Sequence, residues 1–328
     1  MGGWRVKRAW LLPSVLALAL LVSVGAGAPT IAAPGKLRVA LLMPGPYNDH
    51  GFNQTAYDGL MAIKRQFGAE VAYTENVKQS DQVAKIRGYA AQGYTLVIGH
   101  GFEFSDSIKQ VAPGFPKTWF VVSSSTVSQA PNVASLNVDT YAQGYLAGAI
   151  MALLSKKGVI GCVGGMSIPP ITRAMAGCKA GATAVRPNVK VLTAMTGSFD
   201  DIAKAKEFAE AMVQKGADVL MGDADQSGLG VIQTAKEHNL LDIGMNSDEH
   251  AVAPGTVVVS VQQDYPAGFV ALVKKLQAGT LQPKPFIAGV ADGVTFLSAW
   301  YGNVPDSVKQ KAAELAAQFK AGKIPEPK

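Results

Sequence analysis

Short apolar runs of strand length recur along this chain, each followed by a segment whose apolar residues repeat at helical spacing. Residues 39–43 form the first run, unbroken in the way a strand buried on both faces shows. A loop of breakers (Pro44, Gly45, Pro46, Asn48, Asp49, Gly51) separates it from a helix over 54–67, with Ala56, Leu60, Ile63 and Phe67 on one face. Strands follow at 70–74, 94–99 and 118–122. Between them lie a helix opened by Ser80 and Asp81 and another carrying Ile108 and Val111. A weaker strand at 133–138 and a small-residue apolar helix at 141–154 lead into a second such series. Its strands fall at 158–163, 190–195, 218–221 and 242–245, its helices at 171–185, 202–215 and 227–239. The tail adds strands at 257–262 and 286–290 and helices at 267–276 and 307–319. Alternation of this kind predicts α/β architecture with parallel sheets and right-handed crossovers. Two series without a disordered linker predict two similar lobes.

Residues 1–33 read as an address rather than as structure. Arg5, Lys7 and Arg8 precede an apolar stretch, 11–24, broken only by Pro13, Ser14 and Ser23. Small residues then offer Ala26-Gly27-Ala28 or Ile31-Ala32-Ala33 for cleavage, so a signal peptide cut between about Ala28 and Ala33 is expected. The stretch is short for a membrane span, and the best later one, 145–154, is shorter still. No cysteine follows the signal to take a lipid anchor, and the expected location is the periplasm. Loss of the three basic residues lowers the net charge from +6 to +3. Lys and Arg are scattered, which disfavours a nucleic-acid partner. Cys162 and Cys178 would join a strand to the next helix if bridged, or pack as two small buried thiols.

Polar and aromatic residues collect where strands end: 49–53, 100–104, 123–126, 198–201, 222–228 and 246–250. In an open α/β sheet those ends share one edge, where ligands bind. Phe52 has no core period to explain it. Its ring either stacks on a flat ligand whose edges Asp49, His50 and Asn53 read, or staples the loop onto the following helix. Catalytic machinery is not in view. No Gly-x-Ser-x-Gly elbow occurs, and no two of the four histidines stand at metal-binding spacing. Asp223-Ala224-Asp225 hints at a metal loop but lacks the downstream Glu of a calcium site, and a capped turn explains it as well. No cofactor and no metal are expected.

The run Asp49-His50-Gly51-Phe52-Asn53-Gln54-Thr55-Ala56-Tyr57-Asp58-Gly59 resembles the basic membrane protein family of transporter substrate-binding proteins, which includes PnrA-type purine nucleoside receptors. Other matching stretches are Tyr145-Leu146-Ala147-Gly148, Gly197-Ser198-Phe199-Asp200, Gly228-Leu229-Gly230 and Ile243-Gly244 with Asp248. The resemblance implies a type I periplasmic-binding fold, with lobes at 36–138 plus 263–297 and at 139–262, and a helical tail at 298–328. Three crossings are expected near Val138, 259–263 and 286–293. It implies a monomer that binds a purine nucleoside or base and partners an inner-membrane ABC permease. Phe52 would form one face of a base sandwich, with Phe199 or Met221 the other. Asp248 would accept from the ribose hydroxyls, and Asp49, Asn53, Gly101 and Gly222 would complete the wall. Two departures neutralise charge: Ser123 stands where relatives often carry an acid, and Gln262 and Gln263 where a Lys is common. A receptor for another small polar ligand, such as a sugar or signalling molecule, and an exported α/β enzyme are the competing readings.

Overall fold

A computed structural model describes residues 1–3, 36–49 and 51–325. The expected signal peptide with its cleavage site, and His50, lie outside the described residues. The first series comprises β1 (Arg38–Leu42), α1 (Phe52–Phe67), β2 (Glu70–Thr74), α2 (Gln82–Ala91), β3 (Leu96–Gly99), α3 (Ser105–Val111), β4 (Trp119–Ser123) and β5 (Val133–Val138). The second comprises α4 (Thr140–Leu154), β6 (Val159–Gly164), α5 (Pro169–Val185), β7 (Lys190–Met195), α6 (Ile202–Gln214), β8 (Val219–Asp223), α7 (Gly228–Glu237) and β9 (Leu241–Asn246). The chain ends with β10 (Val257–Gln263), α8 (Tyr265–Gln277), β11 (Pro285–Ala288), β12 (Thr295–Leu297) and α9 (Asp306–Lys320).

The strands form two six-stranded sheets, ordered β11-β5-β4-β3-β1-β2 and β12-β10-β9-β8-β6-β7. Every pairing is parallel except that of β12 with β10. Such sheets must be covered on both faces, and each is. One face of the first sheet packs Leu41, Ile98 and Val121 against α1 and α8, while the other packs Leu42, Val97 and Phe120 with Ile86 and Ile108. Helix α8 follows a strand of the second sheet yet packs on α1, where Phe269 lies so close to Gly59 that a Cβ there would meet its ring at 2.7 Å.

The chain passes between the sheets three times: from β5 into α4, from β10 into α8, and from β11 to β12. The first two crossings end in the same device. Asp139 Oδ1 accepts from Ala142 N at 2.9 Å to start α4, and Asp264 Oδ1 accepts from Ala267 N at 2.7 Å to start α8.

The expected lobe limits change at the tail. Residues 295–297, expected in the first lobe, pair with β10 in the second sheet. The expected helical tail packs on the second lobe, where Val308, Ala312 and Leu315 of α9 join the core around α4. A three-residue strand is too short to show a period, and an amphipathic helix needs some core to cover its apolar face.

Helix α4 is buried on nearly every side from Thr140 to Ala152, which is why its sequence lacks a polar face. It meets α5 backbone to backbone. A Cβ on Gly144 would strike the carbonyl oxygen of Ala174, one on Gly148 that of Cys178, and one on Gly181 that of Tyr145. Gln143 of the same helix is fully buried, its Nε2 2.9 Å from the Val261 carbonyl of β10. The structure joins Cys162 of β6 to Cys178 of α5 as a disulfide.

Candidate ligand-binding site

Between the C-terminal ends of the two sets of strands lies a narrow cavity, partly open to solvent. Its first-lobe wall is built on the loop before α1. Asp49 is 5% exposed, and its carboxylate gathers the loop. Oδ1 accepts from the backbone of Gly51 and Gln54, and Oδ2 from the backbone and side-chain amide of Asn53, all between 2.7 and 3.0 Å. Burial acts to raise its pKa, but hydrogen bonds from Asp225, Gly51 and Asn53 outweigh it and hold the group below the ordinary value. Asp49 and Asn53 thus stand behind the cavity wall and fix what stands in it.

What they fix is Phe52, the first residue of α1 and part of that wall. Its ring stacks on His100, centroids 3.8 Å apart and planes 27° from parallel. His100 is fully buried, and burial pushes its pKa down to about 3, so the ring is neutral. Its contacts set the tautomer. Nε2 lies 2.9 Å from the Phe52 carbonyl and must donate; Nδ1 lies 2.7 Å from Ser123 Oγ and accepts. Ser123 Oγ in turn accepts from Gly101 N at 3.0 Å. Phe52 is thus pinned from behind, not onto the following helix, which it opens, but onto His100 after β3, and it also lines the cavity.

Ser123 is consequently not a wall residue, because its hydroxyl is spent on His100. Ser124, with φ of 50°, lines the cavity in its place and bonds Tyr265 Oη at 2.5 Å. Gly101 does line it. With φ of 121° it has no room for a Cβ, because the Glu103 carboxylate folds over it. Glu103 is itself a half-buried wall residue, and burial pushes its pKa up to about 7.

The second lobe contributes Phe199, from the loop between β7 and α6, whose ring covers Gly165 so closely that a Cβ there would collide with it. Met221, the alternative, is fully buried in the core beneath. Two residues further along the same face of β8, Asp223 passes the sheet edge and reaches the cavity. Gly222 faces the other way, against Gly228 and Val231 of α7, and is absent from the wall.

Asp248 is also displaced from its expected place. It is exposed, accepts from Tyr301 Oη at 2.6 Å and from His250 N at 3.2 Å, and borders a second, wider crevice beside β10. Asn246, at φ of 68°, occupies the cavity instead. Its amide donates to Asp223 Oδ1 at 3.3 Å, and its oxygen accepts from Gln143 Nε2 at 3.1 Å. Gln263 Nε2 donates to Gln143 Oε1 and leaves its own Oε1 buried without a partner on the cavity wall. Burial pushes Asp223 up to about 6, partly offset by the Asn246 bond. No Lys or Arg is among the lining residues. Among the described residues no group of three or more His, Cys, Asp or Glu side chains is placed to hold a metal ion.

Residues 36–325 match the model of a family described as Bmp, ABC transporter substrate-binding protein PnrA-like. A transcriptional activator protein, med, of Bacillus subtilis (strain 168) is 28% identical over 89% of this chain and 92% of its own length. A purine-binding protein of Brucella abortus (strain 2308) is 26% identical over 89% of this chain and 83% of its own. Among solved structures, an ABC transporter solute-binding protein from Conexibacter woesei superposes with a TM-score of 0.73 at 26% identity, covering 89% of this chain and 98% of that one.

Proposed function

For a chain that belongs to the Bmp family of PnrA-like ABC transporter substrate-binding proteins, we propose that the ligand is a purine nucleoside or nucleobase bound in the cavity between the lobes. The observation that carries this reading is the pair of aromatic rings, Phe52 from one lobe and Phe199 from the other, on the wall of a single cavity. A flat base between them gains apolar burial and ring contact on both faces. The name of the Brucella relative, a purine-binding protein, agrees with it. The type I periplasmic-binding fold supplies the mechanism. A ligand touching both walls favours the closed arrangement through contacts that the open one lacks. The closed, loaded protein is then the form an ABC permease distinguishes from the empty one. Export by residues 1–33 would place it where that permease takes substrate from outside.

A thermal-shift panel of nucleosides, bases and sugars tests the reading. A ligand present at 100 times its Kd and bound only by the folded state adds about 2.7 kcal/mol. Purine compounds should raise the Tm, and free sugars should not. A rise with sugars alone would overturn the assignment.

A further inference from the structure

The ionisable side chains lining the cavity are all acids. Three carboxyl side chains face it, Glu103 from the first lobe and Asp223 and Asp225 from the second, with no Lys or Arg on the wall to balance them. The Gln263 side-chain oxygen Oε1 is buried without a hydrogen-bond partner. A buried acceptor left unsatisfied carries its full desolvation cost until a donor reaches it. Ligand N–H donors suit the carboxyl groups of this wall, and a phosphate would bring negative charge against them with no Lys or Arg among the lining residues to offset it.

The three carboxyl groups are not equally available. Asp225 is engaged across the cleft by Asn53, and Asp223 by Asn246. Glu103 takes no hydrogen bond from another side chain and no ion pair among the described residues. It folds over Gly101, next in the chain to the His100 that backs the Phe52 ring. A carboxylate there accepts from two adjacent N–H groups, and in its protonated form it donates one bond and accepts one. Either form complements the edge of a purine that carries an exocyclic amino group beside a ring nitrogen. An unsubstituted purine offers no such pair.

We propose that the cavity selects purines whose edge bears an amino group and whose sugar bears no phosphate, and that Glu103 is the residue that reads that edge. This rests on the purine reading above. Glu103 thereby supplies, from the loop after β3, an acid that the loop after β4 lacks.

Calorimetric titration of the wild-type chain with guanosine, adenosine, purine riboside and guanosine 5′-monophosphate tests it. The two amino nucleosides should bind more tightly than purine riboside by roughly 10- to 100-fold, the range of a hydrogen bond to a charged group. The monophosphate should bind at least about tenfold more weakly than guanosine. Glu103→Ala should remove most of the gap between the amino nucleosides and purine riboside, and Glu103→Gln should lose part of it. Thermal unfolding confirms that each variant is folded; should Glu103→Ala fail to fold, the wild-type panel and Glu103→Gln decide. Equal affinity for purine riboside and the amino nucleosides, discrimination that survives Glu103→Ala, or a monophosphate bound as tightly as guanosine overturns this inference alone. Absence of binding by all four compounds overturns the purine reading and this inference together.

Discussion

Asn53 of α1 and Asp225 of the loop after β8, 172 positions apart in the chain, meet across the cleft. The Asn53 side-chain amide donates to Asp225 Oδ2 at 2.9 Å while also donating to Asp49 Oδ2 at 2.7 Å. One amide thus holds two carboxyl groups, one from each lobe.

That arrangement makes closure depend on pH. Burial, and then the neighbouring Asp49, push the Asp225 pKa well above its ordinary value, with Asp200 adding to the shift. Closed protein keeps a proton on Asp225 that opened, hydrated protein releases. The advantage of the closed state is fully present below the ordinary carboxyl pKa and is lost as pH rises through the raised one. Small-angle scattering of ligand-free protein should show a larger radius of gyration at pH 9 than at pH 5. Asp225→Asn, neutral throughout, should hold the smaller value at both. A pH-independent radius in the wild type would rule the coupling out.

Phe52→Leu keeps an apolar wall and removes the ring. Every purine ligand should weaken by about 1 kcal/mol, the contribution of an aromatic pair beyond burial. Calorimetry on a nucleoside and its free base should register the same loss for both, because in the proposed pose the ring meets the base and not the sugar. A loss confined to one of them would place Phe52 elsewhere in the site.

Asp242 on β9 bears on stability rather than on binding. It is fully buried, neither carboxyl oxygen has a hydrogen-bond partner, and burial pushes its pKa up to about 8. The native protein retains a proton there that the unfolded chain gives up near the ordinary value. Stability therefore declines as pH rises from about 4 to about 8, by at most ~1.4 kcal/mol per pH unit for this one group. Glu249 nearby is raised in the same sense. Urea unfolding of the wild type and Asp242→Asn at pH 5, 6.5 and 8 should show a shallower decline in the variant. Parallel curves would refute the assignment.

The α4–α5 contact allows a steric test. Gly181→Ala puts a methyl group against the Tyr145 carbonyl, and the helices must separate to admit it. Overpacking of this kind costs about 1–3 kcal/mol, whereas Gly88→Ala on α2, where a Cβ meets nothing, should be neutral or stabilising. Urea midpoints of the two variants provide the comparison.

Which loops form the site was legible because strands buried on both faces are continuous apolar runs whose ends can be counted. Phe52 stood out for want of a core role, and Phe199 fell in a loop at a strand end. What sequence could not convey is how the chain turns after each strand. Ser124, Asp225 and Asn246 all take left-handed backbone conformations without being glycine, at φ between 50° and 68°, and all three reach the cavity. Asparagine and aspartate favour that conformation more than other non-glycine residues but adopt it too seldom for a single sequence to say where, and non-glycine residues held there tend to cluster at functional sites. Each turn redirects its neighbours, so Ser124 replaces Ser123 and Asn246 replaces Asp248. Asp223 was missed for a different reason. Met221 and Gly222 were expected at the site, but Met221 is buried in the core and the sheet edge lies one pleat further on, at Asp223. Glu103 needed Gly101 at φ of 121° to fold inward, and glycine alone does not announce which way a neighbour will lean.

The glycine seam between α4 and α5 also has a mechanical meaning. Helix α4 starts one residue after β5 leaves the first sheet, and its backbone bears directly on α5, with no side-chain layer between them to slide or repack. A cushion of interdigitated side chains would absorb part of any twist delivered at Asp139. Direct backbone contact leaves little to absorb such a twist, so α4 and α5 are expected to turn together, with the bending left to the three crossing segments.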